Sequence, residues 1–444
     1  MFETLKNAFK VKEIRKKIFI TLLLLLVYRI GCYIPIPGLD SSEFTSIVEG
    51  NNFLTLMSSV TGGALANGTL FALGIGPYIN ASIIMQLLCV GIPALERLSK
   101  QGEEGKKKIA QITRYLTLAL AIIQSIGIII NFGNDGAINT SFFWDQTWLA
   151  YIFMVIVYSA GAMLTMWLGE RITEYGIGNG ISLIIFAGII STAGQLLIIN
   201  PIEGAITGTD PATGATFDGI QSLISVVVFC VIAVVIFALI VTVDLAERRI
   251  PVQYAKQVKG RKMYGGQATV IPIKISGSGV MPLIFAFAII SLPDLIMGLF
   301  WPNSSAYTWY STYISGGSGP WAWAYILVLC LLIFAFSFFY AQIQFNPEDV
   351  SKSIQQNGGF IPGIRPGRPT ADYLKKISNR ITLFGAIFLS LVAFVPSFAF
   401  SFAGSSFVNV FSTTGILIVV SVALELDKQL QSQLMMKNYK GFLK

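Results

Sequence analysis

Histidine is absent from the 444 residues, which removes the usual proton relay, the commonest metal ligand and the usual general base. No Gly-rich phosphate loop ending in Lys-Ser/Thr and no metal-ligand cluster such as His-Glu-x-x-His occurs. A serine hydrolase would lack a base for its nucleophile. The four cysteines, Cys32, Cys89, Cys230 and Cys330, lie in or beside apolar runs with no CxxC spacing and read as small hydrophobes. The chain is therefore expected to be no enzyme and to need no cofactor. An ion-coupled transporter would be expected to carry charge at mid-membrane depth, yet Glu170, Arg171, Asp244 and Glu425 stand at the ends of apolar runs. Isoleucine recurs at depth instead: Ile75 and Ile79, Ile181 and Ile185, Ile284, and Ile418. A constriction of such residues would exclude water and ions by dewetting while offering no hydrogen bond to select a substrate. Isoleucine at this spacing more commonly serves plain lipid or core packing.

The elements that must position these residues are membrane spans. Mean hydropathy is +0.68, and only 12% of residues are charged against 54% hydrophobic, which excludes an ordinary soluble domain. Apolar runs long enough to cross fall at 18–36, 70–90, 112–132, 148–168, 180–199, 220–243, 279–300, 321–343, 381–403 and 406–426. Lys and Arg occur before the first run, then between runs two and three, four and five, six and seven, eight and nine, and after the tenth. By the positive-inside rule both termini are cytoplasmic. Only Arg29, near the outer end of the first run, breaks the alternation. The first run follows Lys16-Lys17 but has no small-residue cleavage site, so it reads as a retained span.

Ten spans divide into halves of five, 18–200 and 201–426, and an odd-numbered unit used twice must lie in opposite orientations. The expected architecture is an all-α integral membrane protein of two inverted five-helix halves. It is flanked by an amphipathic cytoplasmic segment at 1–17 and a tail at 427–444. Between Glu49 and Glu96 no residue is charged. Thr61-Gly62-Gly63 and Asn67-Gly68-Thr69 should break that stretch into a short helix from Phe53 to Leu65, with Phe53, Leu56, Met57, Val60 and Ala64 on one face, and a spanning one from Leu70 to Cys89. The short piece either re-enters the membrane beside a cavity or lies among headgroups. Span seven opens with a matching Ser276-Gly277-Ser278-Gly279-Val280-Met281-Pro282 interruption, and paired broken spans mark the working site of inverted-repeat proteins. Cytoplasmic loops 244–275 and 344–380 interleave cations with tyrosine, proline and glycine, a pattern suited to phosphate backbones or to anionic lipid heads.

Several motifs then fall in order: Tyr33-Ile34-Pro35-Ile36-Pro37-Gly38, Gly62-Gly63-Ala64-Leu65, Gly74-Ile75-Gly76-Pro77-Tyr78-Ile79-Asn80, Trp167-Leu168-Gly169-Glu170, Gly176-Ile177-Gly178-Asn179-Gly180-Ile181-Ser182, Arg248-Arg249-Ile250 and Pro362-Gly363-Ile364-Arg365-Pro366-Gly367. Over essentially its whole length the chain resembles the SecY family, the central subunits of Sec protein-translocation channels. The resemblance implies a central hourglass pore in the bacterial cytoplasmic membrane, with Ile75, Ile79, Ile181, Ile185, Ile284 and Ile418 as its ring. It implies a re-entrant plug at 52–66 containing Phe53, Leu56, Met57, Val60, Gly62, Gly63, Ala64 and Leu65. A lateral gate would involve Asn80, Ser82, Ile83, Gln86, Gln124, Pro282 and Phe285. Arg248, Arg249, Lys256, Arg261, Arg365 and Arg368 would dock a motor or ribosome. The implied partners are the small subunits SecE and SecG, the SecA ATPase, the ribosome, signal peptides with nascent or unfolded polypeptide, and anionic lipids. Function would be passage of unfolded chains across the membrane and release of hydrophobic segments into it, driven by the partner. An ion-coupled solute transporter, also built of inverted repeats, is the alternative.

Overall fold

A computed structural model describes residues 2–39, 44–45, 48, 58, 61–134, 138, 146–199, 219–254, 257–259, 262–264, 268–275, 281–301, 304–310, 322–401 and 413–441. Phe53, Leu56, Met57, Val60, Lys256 and Arg261 lie outside these. Each of the ten expected spans contains a helix. They are α2 (Lys12–Gly31), α3 (Gly76–Gly91), α5 (Glu103–Asn134), α6 (Thr147–Tyr175), α7 (Gly180–Gly194), α8 (Gly219–Leu245), α9 (Met281–Phe300), α11 (Ala322–Gln344), α13 (Arg368–Ser401) and α14 (Thr413–Gly441). Among the described residues four helices are long and apolar enough to cross a membrane alone, or up to five if the bent pair of α3 and α4 (Pro93–Ser99) counts as one. The short helices α1 (Phe2–Lys10), α10 (Ser305–Tyr310) and α12 (Pro347–Gln356) lie outside the spans.

The first broken span departs from expectation in an informative way. Helix α3 begins at Gly76, not Leu70, with Pro77 in its first turn, where proline's missing N–H costs nothing. Its 16 residues reach about 24 Å, short of the ~30 Å hydrocarbon core. Residues 62–75 form consecutive turns rather than helix, because Gly62, Gly63, Gly68 and Gly74 adopt positive φ, which L side chains disfavour. Gly62, Gly63, Ala64 and Leu65 are thus not part of a helix running to 66. This non-helical backbone is packed inside protein, as it must be at membrane depth. Gly161 on α6 allows the closest approach: a Cβ there would stand 2.0 Å from the Leu70 carbonyl oxygen.

Within the first half α5 packs on α3 and α6, and α6 on α2 and α7. Within the second, α11 packs on α9 and α13, and α14 on α8 and α13. The halves meet along two seams, α5 against α9 and α7 against α14. The largest buried cluster crosses both halves, running from Tyr28 and Ile75 through Ile185 to Leu283, Leu389 and Ile418.

The two long loops carry strands that the sequence did not announce. Strand β1 (Glu247–Tyr254) pairs antiparallel with β4 (Ala268–Lys274) from Glu247↔Lys274 to Gln253↔Ala268, while β2 (Gln257–Lys259) pairs with β3 (Lys262–Tyr264). The other edge of β1 takes β5 (Gly359–Phe360), so the two long loops share one sheet. Its buried side, Ile250, Val252 and Ile273, packs on Ile354, Ile361 and Leu374. At the start of the chain, Ala8 and Ile14 seat against Ile177 and Leu430.

Candidate functional site

All six isoleucines join one cluster: Ile75, Ile185 and Ile418 are buried in it, and Ile79, Ile181 and Ile284 are partly buried against it. Each stands near the start of its helix. Ile75 is the N-cap of α3 and Ile79 lies one turn on. Asn179 caps α7 by accepting from the Ile181 N–H at 3.1 Å, while Thr173 Oγ1 accepts from Gly180 N at 2.8 Å. These caps hold the α6–α7 corner that aims Ile181 and Ile185.

Five of the six, Ile79, Ile181, Ile185, Ile284 and Ile418, line a cavity of about 820 Å³. The same cavity is lined by Asp244, Lys274, Glu425 and Lys428. Burial and the neighbouring Lys274 hold the Lys428 ammonium below the usual lysine value, with Asp244 and Glu247 opposing. The cavity is therefore lined by both charged and aliphatic side chains. Ile75 lies beyond its wall, in the same cluster as Ala64, Phe71, Tyr28 and Cys32.

Behind Ile75 the turns of residues 61–74 are fastened to α2. The Tyr28 ring stacks on Phe71 with centroids 5.6 Å apart, and its hydroxyl donates to the Thr61 carbonyl at 3.5 Å. Thr61 Oγ1 donates to the Ser58 carbonyl at 3.0 Å, and Thr69 Oγ1 to that of Ala64 at 3.0 Å. Gly63 N donates to Ser58 O at 2.8 Å and Leu70 N to Ile34 O at 3.0 Å. Arg29, singled out by the charge pattern, reaches across to Ser191 Oγ on α7 and lies over the Tyr33 ring at 5.5 Å. Its Nη1 is buried with no hydrogen-bond partner among the described residues, and a Cβ on Gly62 would collide with that atom.

Of the residues assigned to a gate, Ser82, Ile83, Gln86 and Phe285 share the cavity wall, whereas Asn80, Gln124 and Pro282 do not. Gln124 and Pro282 are buried, and Asn80 is half-buried. Helix α3 is tied to α11 by a residue the sequence did not single out, Tyr340, whose ring also meets Phe285 on α9. Its hydroxyl donates to Gln86 Oε1 at 3.2 Å, and Gln86 Nε2 donates to Ser82 Oγ at 3.5 Å. Phe285 meets the rings of Tyr340 and Phe336 edge-on, at 5.5 and 5.6 Å. The signal that could have found Tyr340 is a phenolic hydroxyl in a mostly apolar span, which needs a partner in lipid.

Arg248 and Arg249 project from β1 and are exposed, as are Arg365 and Arg368. Arg249 Nε pairs with Glu247 at 2.7 Å. The turn holding Arg365 is tied down by Thr370 Oγ1, which donates to the Arg365 carbonyl at 2.8 Å, and by Ser351 Oγ, which donates to that of Gly367 at 2.7 Å. Because β5 adds to β1, both arginine-bearing loops belong to one module.

The family model described as SecY matches residues 69–426. The protein translocase subunit SecY of Streptomyces galbus is 43% identical over the full length of both chains. A structure described as showing that the plug domain of the SecY protein stabilises the closed state of the translocation channel and maintains a membrane seal covers 94% of this chain and 92% of its own. Its TM-score is 0.66 at 21% identity. Sec61 in the canine ribosome–channel complex from the endoplasmic reticulum has the same coverage, with a TM-score of 0.61 at 19% identity. With 358 consecutive residues under one family model, two-fifths identity from end to end and a shared fold, this chain belongs to the SecY family.

Proposed function

We propose that this chain is the channel-forming subunit of a bacterial protein translocase. The observation that carries the reading is a cavity lined by Asp244, Lys274, Glu425 and Lys428 together with five isoleucines of one buried cluster; we place the charged residues at its cytoplasmic mouth and the isoleucines at depth. An aliphatic ring seals by dewetting around whatever thread passes, and it makes no demand on that thread's sequence. Unfolded polypeptide enters from the charged end and displaces the turns of residues 61–74 that cover Ile75. A hydrophobic segment leaves sideways between α3 and α9 once the Tyr340–Gln86 contact parts. Partition then follows transfer free energy: a run of ~20 apolar residues moves into lipid and a polar one continues through.

The driving energy is external, from a SecA-type motor or the ribosome docking on Arg248, Arg249, Arg365 and Arg368, and small subunits of the SecE and SecG type complete the complex. The related Sec61 occurs in a complex with a ribosome, which supports that assignment. Both termini face the cytoplasm in the bacterial inner membrane, the orientation set by the Lys and Arg distribution. The chain acts without chemistry of its own. The comparisons lend nothing to a solute transporter.

The test is cysteine crosslinking to a stalled secretory chain from Ile75→Cys and Ile284→Cys, with Ile185→Asn and Ile418→Asn assayed for ion leak. Crosslinks at both positions and leak in both variants are expected. A tight membrane in the asparagine variants, with no crosslink at either position, refutes the reading.

A further inference from the structure

A second cavity, of about 650 Å³, lies between β1 and the first turns of α13. Its wall carries three cations, Arg248, Lys376 and Arg380, beside Tyr373 and Phe384. The acid present, Glu247, is engaged by Arg249 at 2.7 Å. Among the described residues none of the three cations forms an ion pair. Such a cavity fits an anion, and the continuation of α13 beyond it decides which kind.

Tyr373, Lys376, Arg380, Phe384, Ile387, Leu391 and Val395 recur at intervals of three and four residues, one unbroken helix face. Its first half is basic. Its second half is bare: Phe384 is 54% exposed, Ile387 42%, Leu391 56% and Val395 49%, while Ala386, Leu389 and Val392 on the other side are buried. From Phe384 to Val395 the helix rises about 16 Å, which is half of a ~30 Å hydrocarbon core. Cations at headgroup level followed by a single-leaflet length of exposed aliphatic surface match a phosphate head with its acyl chains. A ribosomal RNA strand would use the cations but has no use for the stripe.

We propose that this groove is a binding site for one anionic phospholipid of the cytoplasmic leaflet. The phosphate is held by Lys376 and Arg380, and an acyl chain lies along Phe384, Ile387, Leu391 and Val395. The lipid straps the cytoplasmic sheet to the base of α13. The site rests on the membrane orientation proposed above, not on the channel activity.

The full chain carrying Phe384→Trp is reconstituted into phosphatidylcholine vesicles containing a minor fraction of dibrominated phosphatidylglycerol, or of dibrominated phosphatidylcholine, in both leaflets. Quenching of the 7 native tryptophans is subtracted using the unsubstituted chain. The introduced indole is expected to prefer the anionic quencher. Lys376→Gln and Arg380→Gln should each lower that preference about fivefold, with Lys107→Gln, a cation elsewhere, leaving it unchanged. Equal quenching by the two lipids, or a preference that survives both substitutions, overturns the site. So does equal quenching accompanied by loss of ribosome binding in Lys376→Gln and Arg380→Gln, which assigns the cations to nucleic acid. Because bromine is present in both leaflets, the readout does not depend on which side the loops face. Polypeptide export, measured separately, reports on the channel.

Discussion

Replacing Tyr340 with phenylalanine removes one oxygen and little else. The ring keeps its edge-on contacts with Phe285, at 5.5 Å and 79°, so the lost interaction is the 3.2 Å hydrogen bond to Gln86. Gln86 lines the large cavity, where water can reach its freed oxygen. The cost is therefore the net worth of a neutral hydrogen bond, about 1 kcal/mol, without the full penalty of a buried orphan. If the bond exists only while α3 is held against α11, opening becomes about fivefold more favourable. Export of a reporter with a weakened signal sequence, whose rate is limited by that opening, should rise by about this factor. Gln86→Leu should do the same, its second bond to Ser82 being long at 3.5 Å. The double variant should rise no further, giving a coupling of about 1 kcal/mol. Single-variant rates equal to the parent, or effects that multiply in the double variant, would refute the reasoning.

Gly161→Ala places a Cβ 2.0 Å from the Leu70 carbonyl oxygen, and pushing the turn chain off α6 should lower stability by about 1–3 kcal/mol, read as a fall in the thermal unfolding midpoint of the purified protein. Arg249→Glu or Arg365→Glu, on exposed positions of the module that β1 and β5 join, should reduce motor or ribosome retention in a pull-down by several-fold, with closed-channel permeability unchanged. Lys428 gives a pH effect of defined sign. Because its folded value is depressed, the unfolded chain binds more protons between the folded value and the ordinary lysine value, so stability should rise with pH across that window. Lys428→Met should flatten that rise in a denaturation series. Asp244→Asn, which removes an opposing carboxylate, should make the Lys428 amine acylate faster at mildly alkaline pH, as read by mass spectrometry.

Ten apolar runs, each of which contains a helix, and the spacing of Lys and Arg between them were legible in the residues, because a bilayer imposes a length and a charge rule on any chain that crosses it. Arg29 was visible as an exception to that rule, but its reach to Ser191 and its seat beneath Gly62 join positions far apart in the chain. The glycines at 62, 63, 68 and 74 announced a break. They did not say that the break extends to Gly76, since the run from Leu70 is apolar enough to be helical, and what prevents it is the close packing of Leu70 on Gly161 and of Phe71 on Tyr28.

Periodicity and composition settle which residues face away from water, because hydrophobic burial is local, additive and without direction. They do not settle which buried residues meet. That the six isoleucines gather in one cluster, that Tyr340 ties α11 to α3, and that β1 and β5, whose paired residues lie over a hundred positions apart, share one sheet were decided in three dimensions. Isoleucine packed in a core and isoleucine lining a cavity leave the same mark on a sequence, and only the helices brought around them tell the two apart.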